Sequence, residues 1–370
     1  MTQFSTITYP TPHADYSRYL DALSSGEIPR ARELAKQLNI TEGDLVACRQ
    51  GVDTWAIKPP FQDVLAQLET VGEVMTITRN DEAVHETTGT YQTFSFMEKS
   101  GTGLVLSDDI DLRLFIAQWH SAYHVIENGR HSIQFFNANG LAVHKVYRTE
   151  NTTAEKWDAL ISTFRDTTPA IPNFLPLDEQ SPSADTTPEG FDHALFSQEW
   201  ADLKDVHQYH GMLKRHGLSR TQALTQIGEQ WATKLDKDSV ANAITFAKEC
   251  HCNIMVFVGN KGCIQIFSGE VNRLLIKGPW FNVLDPAFNL HLRVDLIADV
   301  WAIKRPSNDG IITSIEAFNS KGESILTLFG KRKPGNPELP LWSDIVERVI
   351  NKQIPETQSA LNSNASKEQK

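Results

Sequence analysis

Ser132-Ile-Gln-Phe-Phe-Asn-Ala-Asn-Gly140 and Ser314-Ile-Glu-Ala-Phe-Asn-Ser-Lys-Gly322 carry one pattern twice. Each is an alternating strand that runs into an Asn/Gly turn. A second strand follows each, from Leu141 to Tyr147 and from Glu323 to Phe329. The likeness extends outward. Asp111-Leu-Arg-Leu114 pairs with Asn289-Leu-His-Leu292, and Thr78 to Gly89 aligns with Val258 to Gly269, setting His85 against Gln265. Trp157, Leu160, Ile161 and Phe164 share an i, i+3, i+4, i+7 helix face with Trp342, Ile345, Val346 and Val349. Two copies are too few for a solenoid. They predict a duplicated α+β domain: helices first, then a run of antiparallel strands, then a closing helix.

A boundary separates the copies. Pro169, Pro172, Pro176, Pro182 and Pro188 lie among Ser, Thr, Asp and Glu, which describes an extended linker. The expected plan is a first repeat over 1–165, a linker over 166–190, a second repeat over 191–350 and a polar, frayed tail over 351–370.

Composition narrows the function. A net charge of −11 argues against nucleic acid or an anionic membrane as partner. The first residues have neither a basic region nor an apolar core of a leader, and no apolar run reaches spanning length, so the expected location is the cytoplasm. Cys48, Cys250, Cys252 and Cys263 make no disulfide framework. Cys250-His251-Cys252 lacks both the usual zinc spacing and a second pair, so no structural metal is expected. Phosphate-binding glycine loops, a nucleophile elbow and an H-E-x-x-H pair are all missing from the sequence.

The most informative functional stretch is Trp200-Ala-Asp-Leu-Lys-Asp-Val-His207-Gln-Tyr-His210 with Leu213-Lys-Arg-His216-Gly217. Trp200, Leu203, His207 and His210 recur at helical spacing, which predicts two inward-facing imidazoles. Gly217 reads as the helix stop, and Ser219-Arg-Thr-Gln222 as a capping box opening the next helix. Arg220 then occupies a first turn, where the helix dipole disfavours a cation and an anion would be welcome. An imidazole beside an anion site suits an iron porphyrin with carboxylate arms. Blander readings stay open: a core histidine bonded to a carbonyl, and a surface arginine. Counting back from Arg30 as the counterpart of Arg220 puts Ser17 opposite His207, so only the second copy owns the imidazole. Arg113 and Phe115 point away from Leu112 and Leu114, while Arg305 and Arg332 sit near strand ends.

With those residues in view, the chain resembles the bacterial HemS/ChuS-type haemin-degrading and haem-trafficking factors from about Tyr16 to Val349. The most specific parts are Asp205-Val-His-Gln-Tyr-His210, Ile254 to Phe267, Asn289-Leu-His-Leu292, Trp301-Ala-Ile-Lys-Arg-Pro306 and Gly330-Lys-Arg332. Ala83-Val-His-Glu86 and Asp111-Leu-Arg-Leu-Phe115 add to them. The resemblance implies large antiparallel sheets stacked on helices, with haem in a cleft as ligand and substrate. It implies His207 as axial iron ligand, His210 as alternative ligand, Arg113 on the distal face and Phe115 lining the pocket. Arg220, Arg305 and Arg332 would meet the propionates, and His85 matches a histidine discussed as a second ligand. An external reductant and O2 would be needed for degradation. A haem-import ATPase or a haem oxygenase would be donor or acceptor. Two departures stand out: Arg305 where the family often has Lys, and Phe329 where Tyr is common.

Overall fold

The computed structural model describes residues 14–24, 31–168, 172–176, 187–205, 208–333 and 335–357. His207, most of the expected linker and the end of the expected tail lie outside the described residues.

The first copy opens with helices α1 (Ala14–Ser24), α2 (Ala31–Gln37) and α3 (Glu42–Ala47), then β1 (Thr54–Ile57) and α4 (Phe61–Leu68). Strands β2 (Gly72–Arg79), β3 (Ala83–Thr90), β4 (Phe94–Met97), β5 (Thr102–Leu106) and β6 (Asp111–Phe115) follow. Then come β7 (Trp119–Glu127), β8 (Arg130–Asn137), β9 (Ala142–Thr152) and the closing α5 (Ala154–Phe164).

The second copy repeats this order. It has α6 (His193–Ala201), α7 (Gln208–His216), α8 (Arg220–Gln226), β10 (Ala232–Leu235) and α9 (Ser239–Glu249). Next are β11 (Ile254–Gly259), β12 (Cys263–Gly269), β13 (Leu274–Lys277), β14 (Trp280–Leu284) and β15 (Phe288–Arg293). It ends with β16 (Asp299–Ser307), β17 (Gly310–Phe318), β18 (Ser324–Gly330) and α10 (Pro340–Ile350).

The strands form two nine-stranded antiparallel sheets, in the orders β1-β7-β8-β9-β2-β3-β15-β14-β13 and β10-β16-β17-β18-β11-β12-β6-β5-β4. The α+β duplication read from the sequence is therefore the fold. Each sheet takes six strands from one copy and three from the other, an exchange that periodicity alone does not reveal. By contact density the chain divides into two compact units. One is Met1–Thr78 with Glu86–Asp178 and Asn260–Gln265; the other is Arg79–His85 with Glu179–Gly259 and Ile266–Lys370.

In the first unit, alternation along β8 sends Ile133 and Phe135 to a core closed by α4 and α5, through Val64, Leu65, Trp157 and Leu160. Phe136 faces the opposite side with Tyr123, Val125 and Val46. In the second unit, β17 sends Ile315 and Ala317 towards α9 and α10, where Trp342, Ile345, Val346 and Val349 are buried. Phe318 goes to the other face with Trp301 and Ile303 of β16, under α6, α7 and α8. Both faces of β17 are therefore covered, and a polar side chain there must find a buried partner.

The hairpin glycines are required by geometry. Gly140 and Gly322 have φ of 70° and 76°, the left-handed region that side chains rarely adopt. A helix start packs against each of them: Thr41 approaches Gly140 and Thr221 approaches Gly322. Thr41 and Ser219 are both N-caps with complete capping boxes. That makes Glu42 the structural counterpart of Arg220. Arg30, chosen by counting, lies outside the described residues. The count slips by about a helix length because it matches Arg220 with Arg30 by residue type, whereas the N-caps Thr41 and Ser219 align α3 with α8.

Candidate functional site

The continuous helix expected from Trp200 to His210 is broken. Trp200 and Leu203 are buried as expected, but α6 ends at Ala201 and α7 begins only at Gln208. Within α7 the inward stripe is Tyr209, Met212 and Leu213. His210 is one position off that stripe and exposed. Its ring lies 6.0 Å from that of Tyr209. Gly217 ends the helix with φ of 65°, and the capping box at Ser219 forms as read.

Arg220 does have an anion beside it, and the protein supplies it. Its Nη2 donates to Oε2 of Glu316 at 2.5 Å. Arg305 of β16 donates to Oε1 of the same carboxylate at 2.8 Å. Arg305 also donates to Ser314 Oγ at 3.0 Å, and Ser314 in turn donates to Glu316 at 3.0 Å. The guanidinium of Arg305 lies 4.4 Å from the Tyr209 ring centroid and 6.0 Å from that of Trp200, within cation–π range. Arg220 is 5.7 Å from the Phe318 ring.

Burial sets the energetics of this group. Side-chain exposure is 1% for Glu316, 4% for Arg305 and 29% for Arg220. Burial alone would raise the Glu316 pKa, but Arg220 and Arg305 outweigh it and hold the acid at about 2. Burial also pushes the Tyr209 phenol up. The two cations outnumber the carboxylate. Among the described residues, Arg305 Nε and Nη2 and Arg220 Nε are buried without an acceptor in hydrogen-bonding geometry. The Tyr209 hydroxyl is near Arg305 but likewise out of standard geometry. Orphaned guanidinium donors and a surplus positive charge fit a second carboxylate.

The other expected residues are spread through the fold. Arg332 follows β18 and donates to Asp309 Oδ2 at 2.5 Å, with its side chain 16% exposed. Arg113 lies on β6, about one-third exposed, and pairs with Asp111. Burial raises the Asp111 pKa despite that pairing. Phe115 ends β6, where its N–H donates to Gly262 O at 2.9 Å, and it lines a shallow pocket with Ser100, Thr102, Gln118 and Lys261. His85 is fully enclosed, 4.9 Å from the Phe288 ring, and burial drives its pKa to about 3. Cys250 caps α9, and His251 turns with φ of 52° to meet Glu270 at 3.2 Å.

Sequence reading missed Glu316, Ser314 and Tyr209. The signal for Glu316 was present: Ser314 and Glu316 alternate with Ile315 and Ala317 in a strand whose copy carries Ser132 and Gln134. Polar residues recur at both places in both copies, which solvation alone does not require.

Comparison with known proteins places these residues in context. The model of the haemin-degrading HemS/ChuX domain matches twice, over residues 39–164 and 217–349. The two matches start at equivalent distances before Thr41 and Ser219, in agreement with the hairpin contacts. The hemin transport protein HemS of Yersinia enterocolitica is 40% identical over 344 residues, covering 92% of this chain and 98% of that protein. The crystal structure of holo-PhuS, a heme-binding protein from Pseudomonas aeruginosa, superposes with a TM-score of 0.86 at 40% identity. It covers 92% of this chain and 99% of that one. ChuS, described as an E. coli heme oxygenase, gives a TM-score of 0.80 at 36% identity, over 90% and 99% of the two chains.

Proposed function

The chain belongs to the HemS/ChuX haemin-degrading family, and from that premise we propose that it binds haem and promotes its breakdown in the cytoplasm, with release of iron. The observation that carries the binding is the surplus of cation at Arg220 and Arg305, with donors left over after Glu316 is satisfied. Those donors would take a propionate, and Arg332 would take part in gripping the pair. His207 would ligate the iron: it stands two residues before Tyr209, whose ring Arg305 covers. His210, exposed on the first turn of α7, is the substitute. His85, enclosed in the core, serves this reading as packing and not as a ligand.

Bound haem supplies the iron and the oxidisable macrocycle, with an external reductant and O2 as co-reactants. Arg113 would present a partly exposed cation to negative charge developing on the distal side, with Asp111 fixing its direction and Phe115 excluding water.

Titration with haem and with its dimethyl ester tests the binding. The parent should prefer the free acid by roughly 1.5–3 kcal/mol for each charge-assisted contact. Equal affinities would make the arginines structural only. A second reading, a chaperone that receives haem from an import ATPase and passes it to a separate oxygenase, is favoured by two of the relatives. HemS is called a transport protein and PhuS a heme-binding protein. Loss of the porphyrin band with reductant and O2 in the presence of catalase supports degradation. Its absence supports the chaperone.

A further inference from the structure

Glu316 does something for this site that neither arginine does. Its two oxygens are divided. Oε1 is tied inward, to Arg305 at 2.8 Å and to Ser314 at 3.0 Å, both themselves buried. Oε2 faces Arg220, the one member of the group with substantial exposure. The carboxylate of Glu316 therefore occupies the place that a ligand's carboxylate would take on Arg220.

We propose that Glu316 is an internal competitor for the arginine that grips the ligand. It holds Arg220 in the free protein and yields it when a propionate arrives, so that the ligand is bound reversibly and can be passed on. This inference rests on the haem-binding reading above. Glu316 is a positioning residue in this scheme: it touches Arg220 and Arg305 and need not touch the ligand. Arg305 stays with Glu316 throughout, because its bond to Ser314 and its near-complete burial leave it no other position. Exchange on Arg220 balances charge: two guanidiniums alone with one carboxylate are in surplus, and with two carboxylates they are neutral. In the free protein Arg220 and Arg305 together hold Glu316 at about 2, so it is ionised when it holds Arg220.

The test compares haem and haem dimethyl ester on the parent, Glu316→Gln and Ser314→Ala, by dissociation rate and by equilibrium titration. Glu316→Gln removes the competing charge, so free-acid haem should leave on the order of tenfold more slowly, the worth of about one charge-assisted bond. The preference for acid over ester should widen by a similar factor, while the ester's dissociation changes little. Ser314→Ala keeps every charge and removes one hydrogen bond that anchors Glu316. It should move both quantities the same way by less, and it carries the test if Glu316→Gln does not fold. Faster release of free-acid haem with a narrowed preference would show Glu316 to be a scaffold for the arginines, and would overturn the proposal. A parent with no acid-over-ester preference would instead sink the haem-grip reading itself, which the parent alone reports.

Discussion

The two copies place opposite charges at two matched positions, and a charged residue against a neutral one at a third. Where the second copy has Arg220, Arg305 and Glu316, the first has Glu42, Glu127 and Gln134. In the first copy Arg49, not part of the repeat pattern, lies 2% exposed among Glu127 at 2.8 Å, Asp53 at 3.2 Å and Tyr19 at 3.3 Å. Its guanidinium lies 5.3 Å from the Tyr19 ring, as that of Arg305 lies over Tyr209. Glu42 pairs with Lys145 at 3.5 Å. Both copies bury a cation over a tyrosine beneath their first helices. One arginine faces two acids in the first copy, and two arginines face one acid in the second. The same fold thus holds a cluster with one carboxylate in excess in one half and a cluster with one guanidinium in excess in the other, the one proposed to take an anion. On the proposed reading, what separates the two copies at this place is the count of charges.

The largest expected contrast is in stability. Arg305→Met leaves buried Glu316 with Arg220 as its one remaining cationic partner beside the Ser314 hydroxyl, and should cost about 3–5 kcal/mol in denaturant unfolding. Arg49→Met should cost less, because Asp53 and Glu127 are 33% and 40% exposed and water can solvate them. Equal losses would break the comparison.

A smaller contrast concerns chemistry on β6 and on its repeat counterpart β15. Arg113 of β6 corresponds to His291 of β15, whose Nδ1 lies 2.7 Å from Asn282 Oδ1. Arg113→Ala should retain most haem affinity and slow catalase-resistant porphyrin loss by about a hundredfold, as for one lost oxyanion donor. His291→Ala should leave that rate near the parent's. Matching rates in the two variants would remove Arg113 from the chemistry.

The smallest contrast is with pH. Burial holds His124 and His144 of the first unit, and His85 of the second, at about 3. Their reference pKa is 6.5, so the unfolded chain binds protons that the folded one refuses. Each therefore contributes stability above pH 6.5 that is lost as pH falls towards 3, by about 1.4 kcal/mol per pH unit. Hydrogen exchange should show the first unit loosening at higher pH than the second. His144→Gln should narrow that gap, and an unchanged gap would mean the imidazole is protonated in place.

Local pattern was legible where one residue type suffices to set geometry. Asn137 to Gly140 and Asn319 to Gly322 needed only a turn with positive φ, and Ser219 needed only its partner Gln222. The break after Ala201 was not legible, because Leu203 and His210 continue a helical spacing that the chain does not follow. Glu316 was hidden for a different reason. A glutamate between Ile315 and Ala317 reads as a solvent-facing strand residue, and only the fold brings Arg220, 96 positions away, onto it. The surplus of charge that marks the site is a property of the assembled cluster and of no single motif.

The central claim is that the anion site belongs to the second copy alone, and Arg220 and its counterpart Glu42 test it most directly. The measurement is the affinity ratio of haem to haem dimethyl ester, taken by equilibrium titration in parallel on Arg220→Ala and Glu42→Ala. The account predicts that the preference for the free acid collapses in Arg220→Ala and persists at the parent value in Glu42→Ala. A preference that survives in Arg220→Ala, or falls equally in both, would contradict it.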